Sequence, residues 1–530
     1  MSSKIFKIST VAATIAASFA ANAALYQVYG YQPVVSSSSE TYGAAIAPEN
    51  GVNDCWSTAC SKTDYKIAFE EKRFQEGFLY RNEAPFLIEN GFEYLEKDHT
   101  GFKDYCNAYL GYVDEICEDF ADRQYTNGFG KEDNGDFQSS LAYLETTPVS
   151  ISSNNTIINS ITSTGEIVGT YQVSASERTR AFYGSESTAT NEFTDGVRTR
   201  AWTRLNTENV TVGSVSFDSI SNVGIDYKSQ AAIWEGTTLN LFSIAGSEDS
   251  RSMPQGSARD IARVNASDYY AVGYSANSEE IPVAAIFPLG DLSSLSGISP
   301  TLLSAYSDQD KYLNSLLTSV NKRGIAIGTV KFRQSTDGAY ANRIFYVPDV
   351  TSPSPVEFNT KFSSMFFTSA NALAGAINGN DEVVGQVDYE THRESGGGKP
   401  RAKKAFIAPL SGNNKAPIST AWYLDDLTYG SDASADNNKY RVFDATDIND
   451  AGVISGTAYY CSSGYDSEAI NAKCSSGATI VAVKLVPING QDSSDISPRP
   501  VAQVSAIERQ GGTLGYLALG LLGLLGFRRK

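Results

Sequence analysis

Histidine is nearly missing from this chain: only His99 and His392 occur in 530 residues. That removes most zinc sites built on imidazole and most relays that pass a proton through it. Positive charge is also short, with Lys+Arg at 42 against Asp+Glu at 60, a formal charge of −18. A chain so acidic is a poor binder of nucleic acid or anionic lipid through bulk electrostatics. The familiar catalytic strings are absent as well: no G-x-S-x-G elbow, no Walker loop and no H-E-x-x-H. Asp133-Asn134-Gly135-Asp136 and Asp308-Gln309-Asp310 have a calcium-like composition. Neither runs on to the bidentate Glu of an EF-hand, so both read as solvated turns. His99 follows Asp98, and His392 lies between Glu390 and Glu394 before a Ser-Gly-Gly-Gly run. Both read as solvated loop residues, because a base needs a placed partner. No catalytic residue, metal ligand or cofactor is assigned.

What is present favours strands. Tyr at 30, Phe at 25 and Gly at 44, against 3 Met, suit an all-β, turn-rich protein. Hydrophobic residues at 41% are enough to bury a core. At roughly 150 residues per domain the length allows three or four domains, or one large repeat array.

The two ends read as addresses. Lys4 and Lys7, an apolar stretch from Ile8 to Ala20, and Ala21-Asn22-Ala23 form a secretory signal, 1–23, with signal peptidase expected to cut between Ala23 and Ala24. At the other end 491–510 is rich in Ser, Asp and Pro and reads as a linker. After it, Gly511 and Gly512 precede about fourteen apolar residues, marginal for a membrane span, and Arg528-Arg529-Lys530 closes the chain. A plain tail anchor is one reading of 511–530. Glycine pair, short apolar helix and basic stop together resemble the GlyGly C-terminal sorting signal of secreted Gram-negative proteins. That resemblance implies transient anchoring in the inner membrane, type II secretion, and cleavage near Gly511 and Gly512 by rhombosortase, an intramembrane protease of the rhomboid type. The protein would then reside at the cell surface or outside the cell.

Six cysteines agree with export. Their clustering favours three local bridges, Cys55–Cys60, Cys106–Cys117 and Cys461–Cys474, over the other pairings six cysteines allow.

The middle of the chain repeats itself. Ile161–Gly169, Leu205–Gly213, Val264–Gly273, Val320–Gly328, Ile377–Gly385 and Ile448–Gly456 share an aliphatic residue, often Asn, a turn, a β-forming run and a closing Gly. Their closing glycines are 44, 60, 55, 57 and 71 residues apart. That is too long for a solenoid coil and suits propeller blades with insertions. The Asn can turn on its own backbone, and the closing Gly permits a bulge or close packing. A second element sets a basic residue before an aromatic strand: Arg180 before Phe182, Arg200 before Trp202, Arg343 before Phe345, and Lys404 before Phe406. If the blades are equivalent, Arg180, Arg200, Arg343 and Lys404 form a ring offering a site to an acidic ligand or glycan. The alternative is that each pairs with an acidic neighbour on a strand edge.

These paired elements resemble the extracellular HAF repeats, from about Ile157 to Pro487, within an uncharacterised family of secreted bacterial proteins. The resemblance implies a β-propeller-like fold and an extracellular location, and it brings no activity. Thr162, Ser455, and Arg180 or Lys404 in place of the histidine that names the repeat depart from its pattern.

The region 24–148 differs. Ala24 to Tyr31 is strand-like, and 66–120 is acidic, aromatic and poor in turn residues. Leu110, Val113, Ile116, Cys117 and Phe120 fall on one helical stripe, so we expect a small disulfide-braced helical insertion in or beside the first blade. The expectation is an all-β, propeller-like array of six to eight blades, with 149–490 built from repeats. Leu25 to Tyr31 should pair with the strand holding Thr479 to Val486 and close the ring. The functional expectation is an exported binding or interaction scaffold for an unknown surface or glycan ligand. Two others stand beside it: an extracellular carbohydrate-active lyase or hydrolase using carboxylates or Tyr in the central channel, and a structural matrix component.

Overall fold

The structure is a computed structural model; it describes residues 23–34, 39–48, 54–72, 98–136, 140–149, 155–172, 179–185, 188–221, 224–245, 254–430 and 436–502. Seven four-stranded antiparallel sheets follow one another around a ring. Blade one lies in 40–148, blade two in 156–193, blade three in 198–241 and blade four in 256–302. Blade five lies in 312–357, blade six in 372–423, and blade seven in 440–487. Blade seven borrows its fourth strand from the chain start: Tyr26–Tyr31 pairs antiparallel with Thr479–Pro487, Tyr26 opposite Pro487 and Tyr31 opposite Ala482. The first strands of successive blades touch one another all the way round, so the ring is closed and its innermost edges face one another. A β-propeller of seven blades is the result. Closure packs every blade between two neighbours and leaves only outer-strand edges.

The closing glycines explain the repeat. Gly169, Gly213, Gly273, Gly328, Gly385 and Gly456 each lie on the second strand of a blade. Each pairs with a first-strand residue immediately before a β-bulge. A Cβ on Gly213 would sit 1.9 Å from the Arg200 carbonyl oxygen, and one on Gly385 would sit 2.2 Å from that of Leu373. The bulged backbone has moved into the space of a side chain, so only glycine fits. Phe182, Phe345 and Phe406 of the second element are buried on third strands, as are Trp234 and Phe287 of blades three and four, whereas Trp202 is half-buried on a first strand. Each buried ring contributes about 1.5–3 kcal/mol.

Strand direction alternates, so the turns joining strands one and two lie at one end of the ring. The connections joining strands two and three lie at the other. At the first end, Asn321 Oδ1 accepts from the amides of Arg323 and Ile325, while its Nδ2 donates to the Asn378 carbonyl of the next blade. Asn378 does the same toward Asn449, and Asn449 toward Ala47. One residue type caps its own turn and ties it to the next.

All three disulfides form as the cysteine clusters indicate. Cys106–Cys117 joins two helices, His99–Tyr109 and Asp114–Ala121, inserted between the second and third strands of blade one. The apolar stripe is therefore not one continuous helix. Gly111, at φ +74°, turns the chain between the two, and Val113 and Ile116 are only half-buried. Blade one itself occupies 40–148, so the propeller extends further towards the chain start than its recognisable repeats. At the other end 488–502 runs back along blade seven. The Ile488 amide bonds the Leu25 carbonyl, and the Arg499 side chain is buried.

Candidate functional site

The four basic residues do not share one ring. Arg180, Arg343 and Lys404 occupy the same place on third strands, opposite Tyr171, Val330 and Val387, each two residues past a closing glycine. Arg200 lies instead on the first strand of blade three, opposite Ser214, nearer the axis and half-buried. Arg180 meets Glu192 at 3.1 Å and Arg343 meets Glu357 at 3.1 Å, both acids on the fourth strand of the same blade. Lys404 meets Asp425 at 2.7 Å in a buried cluster. There the Arg499 amide bonds Asp426 and its guanidinium bonds the Asp425 carbonyl, which fastens the segment 488–502 to blades six and seven. Burial, together with the neighbouring Asp425, pushes Asp426 up to about 6.

Two carboxylates nearer the axis escaped the sequence reading. Asp260 and Asp447 stand on first strands of blades four and seven, opposite sides of the ring, each just past a bulge. Asp260 accepts from the Ser319 hydroxyl and the Val320 amide of blade five, each at 2.9 Å. Asp447 accepts from the Ile46 amide of blade one at 2.9 Å. Burial raises both; Asp447 reaches about 7, with Asp260's charge adding to the effect. Each acid stitches its blade to the next. A signal existed: Ala258-Arg-Asp260-Ile261 and Ala445-Thr-Asp447-Ile448 share the string A-x-D-I.

The richest polar assembly lies on the end that carries the insertion. Here Gly111 to Val113 of blade one meets the loop 389–402 of blade six. The Val113 amide bonds the Gly398 carbonyl at 2.9 Å, and the Gly397 amide bonds the Gly111 carbonyl at 3.0 Å. A Cβ on Gly111 would lie 2.9 Å from Ser395 Cα and 3.0 Å from the Tyr340 ring of blade five. Under this junction Arg401 bonds Asp388 at 3.3 Å and the Ser369 carbonyl at 2.7 Å; its amide bonds Glu394 at 2.9 Å. Asn371 joins both acids, its amide to Asp388 and its Nδ2 to Glu394. Asp388 and Arg401 side chains are both 0% exposed. Asp388 Oδ1 is buried with no hydrogen-bond partner. Burial first, then Glu394's charge, pushes Asp388 up to about 7 against the opposing Lys403 and Arg401.

His392 belongs to this loop, 3.1 Å from the Lys399 carbonyl and 3.6 Å from Glu390. His99 lies in the insertion, 3.1 Å from Asp122. Among the described residues no group of three or more His, Cys, Asp or Glu is placed to hold a metal ion. None of their helices is long and apolar enough to cross a membrane. Ala23 and Ala24 begin the described chain, Ala24 being buried. Gly511 and Gly512 lie outside the described residues.

Residues 209–530, more than half of the chain, match a family described as "Protein of unknown function (DUF3466)". The chain belongs to that family. None of the curated proteins matches it. Among solved structures, a Trypanosoma rangeli sialidase bound to the inhibitor DANA is similar at 11% identity and a TM-score of 0.31. That match covers 62% of this chain and 54% of the sialidase, so the chain spans about half of that relative's length. A Penicillium chrysogenum α-L-arabinanase is similar at 10% identity and a TM-score of 0.26, over 61% of this chain and 90% of that one. A Podospora anserina α-L-arabinofuranosidase follows at 11% and 0.22, over 52% and 87%. Likenesses this low carry no argument about what the DUF3466 chain does.

Proposed function

We propose that the protein is exported and works as a binding or interaction scaffold at the cell surface or in the medium. The observation that carries this reading is how the ring uses its charge. Asp260 and Asp447 near the axis accept hydrogen bonds from the next blade's backbone, and Arg180, Arg343 and Lys404 face acids of their own or adjoining elements. These groups hold strands and neighbouring blades together, and a general acid or base must instead be aimed at a substrate. Meanwhile the end bearing the insertion offers long loops, braced by Cys106–Cys117 and Cys461–Cys474, as recognition surface. Three disulfides support an oxidising destination. Signal peptidase before Ala24, type II secretion, and a rhombosortase-type cut near Gly511 and Gly512 complete this reading, with a surface or glycan ligand and no nucleic acid as partner.

Intact mass of the exported protein, followed by a screen against glycans and surface proteins, tests it. The expected product starts at Ala24, ends near Gly511, and retains a specific ligand without consuming it. Turnover of a glycan that Asp260→Asn or Asp447→Asn abolishes, with the fold intact, would replace the scaffold with an enzyme. Released protein that keeps its mass through Lys530 would remove the sorting step.

A further inference from the structure

In a ring of seven, blades one and five are three steps apart by the shorter way round. The insertion is rooted between the middle strands of blade one, yet it touches loops of blades five and six. A segment with those two footings links blade one to blades five and six on that face. Its far footing includes the paired backbone bonds between Gly111–Val113 and Gly397–Gly398, with an isolated parallel bridge between Tyr112 and Gly398. The loop 389–402 that receives it is tied down chiefly from within, by Arg401 to Asp388, Glu394 and the Ser369 carbonyl. A second tie runs to blade five, where the Glu394 and Ser395 amides both bond the Gly338 carbonyl, at 2.9 and 2.8 Å.

We propose that the disulfide-braced insertion is a cover over this face, held shut by a proton-dependent latch made of Asp388, Glu394 and Arg401. Two buried carboxylates meet Arg401, Asp388 at its guanidinium and Glu394 at its backbone amide, and one carboxylate oxygen, Asp388 Oδ1, is buried without a partner. A proton on that oxygen removes the surplus negative charge and lets the three groups pack together. Losing it leaves two anions against one cation out of water, which is costly. Other charged or titratable neighbours are Lys403, opposite Asp388 in the sheet, Tyr423, which responds to Asp388's charge, and Tyr389 and His392 of the same loop.

The sign follows from linkage. The latched state holds the proton up to about pH 7, while an opened, hydrated Asp388 returns to an ordinary aspartate near 3.9. Opening therefore releases a proton between those values. The latch is tightest in acid, and opening grows by up to tenfold per pH unit until about 7, then levels off.

Hydrogen exchange of the mature protein at pH 5, 6, 7 and 8, corrected for intrinsic rates, tests this directly and needs no ligand. It thus stands or falls apart from the scaffold reading. Amides of Val113, Gly397 and Arg401 should open with that pH dependence, while the strand Ala326–Phe332 stays protected. Asp388→Asn, which carries no charge at any pH, should abolish the dependence and keep these amides slow throughout. His392→Asn should leave the transition in place. A flat profile in the unaltered protein, an equal change in Ala326–Phe332, or loss of the transition in His392→Asn would overturn the latch. If Asp388→Asn does not fold, the unaltered protein and His392→Asn decide between them.

Discussion

Blades five to seven and blades two to four come from the same repeat but hold together differently at the turn end. Asn321, Asn378 and Asn449 each cap their own turn and reach the next blade, so three turns and that of blade one form one chain of bonds. In blade two Thr162 stands where that Asn would be; its hydroxyl accepts from the Glu166 amide but has no amide group to extend. Asn265 of blade four turns back on its own loop and bonds Asp268. Asn206 of blade three reaches backward, to Thr164 of blade two. The glycine contacts, by contrast, are present in both halves. Backbone collision is thus the constraint that every copy obeys, while the amide relay is an addition that some copies lack.

The largest effect should come from breaking what both halves share. Gly385→Val places a side chain against the Leu373 carbonyl and the Phe406 ring, at 2.2 and 3.0 Å for its Cβ alone. We expect a loss of about 4 kcal/mol or more, or no folded protein, by denaturant unfolding. Gly165→Val is the contrast. No atom lies within 4 Å of a Cβ there, and only the φ of +83° is strained, so about 1–2 kcal/mol is expected.

Next comes the relay itself. Asn378→Ala removes two turn caps and the bond to Asn449, leaving buried backbone groups unpaired. We expect about 2–3 kcal/mol, against less than about 1 for Asn206→Ala in the weaker half. An equal cost at both sites would erase the distinction.

Acidity bears on both halves, with Asp447 and Asp388 raised in the connected half and Asp260 in the other. The folded-state values of Asp447 and Asp388, both about 7, and that of Asp426, about 6, all lie above an ordinary aspartate. A raised carboxyl contributes stability that is complete below its unfolded value and lost as pH rises through its folded value. The melting temperature should therefore be higher at pH 5 than at pH 8, and Asp447→Asn should reduce the difference. A melting temperature that rises from pH 5 to 8 would contradict this sign.

The smallest expected effect is a gain. Thr162→Asn gives blade two the amide its relatives use and should add about 0.5–1 kcal/mol if it reaches the turn of blade three. No gain would mean that the relay depends on turn geometry in blades five to seven as well as on residue type.

Much of the ring was legible because its constraints are local. The Asn turn, the β-branched run and the closing Gly each need only a few neighbouring residues, and short cysteine spacings leave few partners. The helical stripe at 110–120 misled because one face of apolar residues looks alike with or without a break. Gly111 breaks it at a positive φ that the contact with blade six demands. Arg200 misled for a related reason, since a basic residue before an aromatic strand occurs on a first strand as well as on a third.

By itself, then, the sequence determined a closed ring of repeated hairpins, its three bridges and the pairing of its first and last strands. These follow from side-chain periodicity, turn chemistry and the cost of open edges. Only the tertiary structure decided that there are seven blades, that Asp388 is a buried acid, and that Asp260 and Asp447 are half-buried acids bonded to the next blade. It alone set an insertion of blade one on loops of blades five and six. Burial and charge pairing are properties of residues brought together from distant parts of the chain: Asp388 is raised by a loop folded over it. Nothing in the residues beside it announces that.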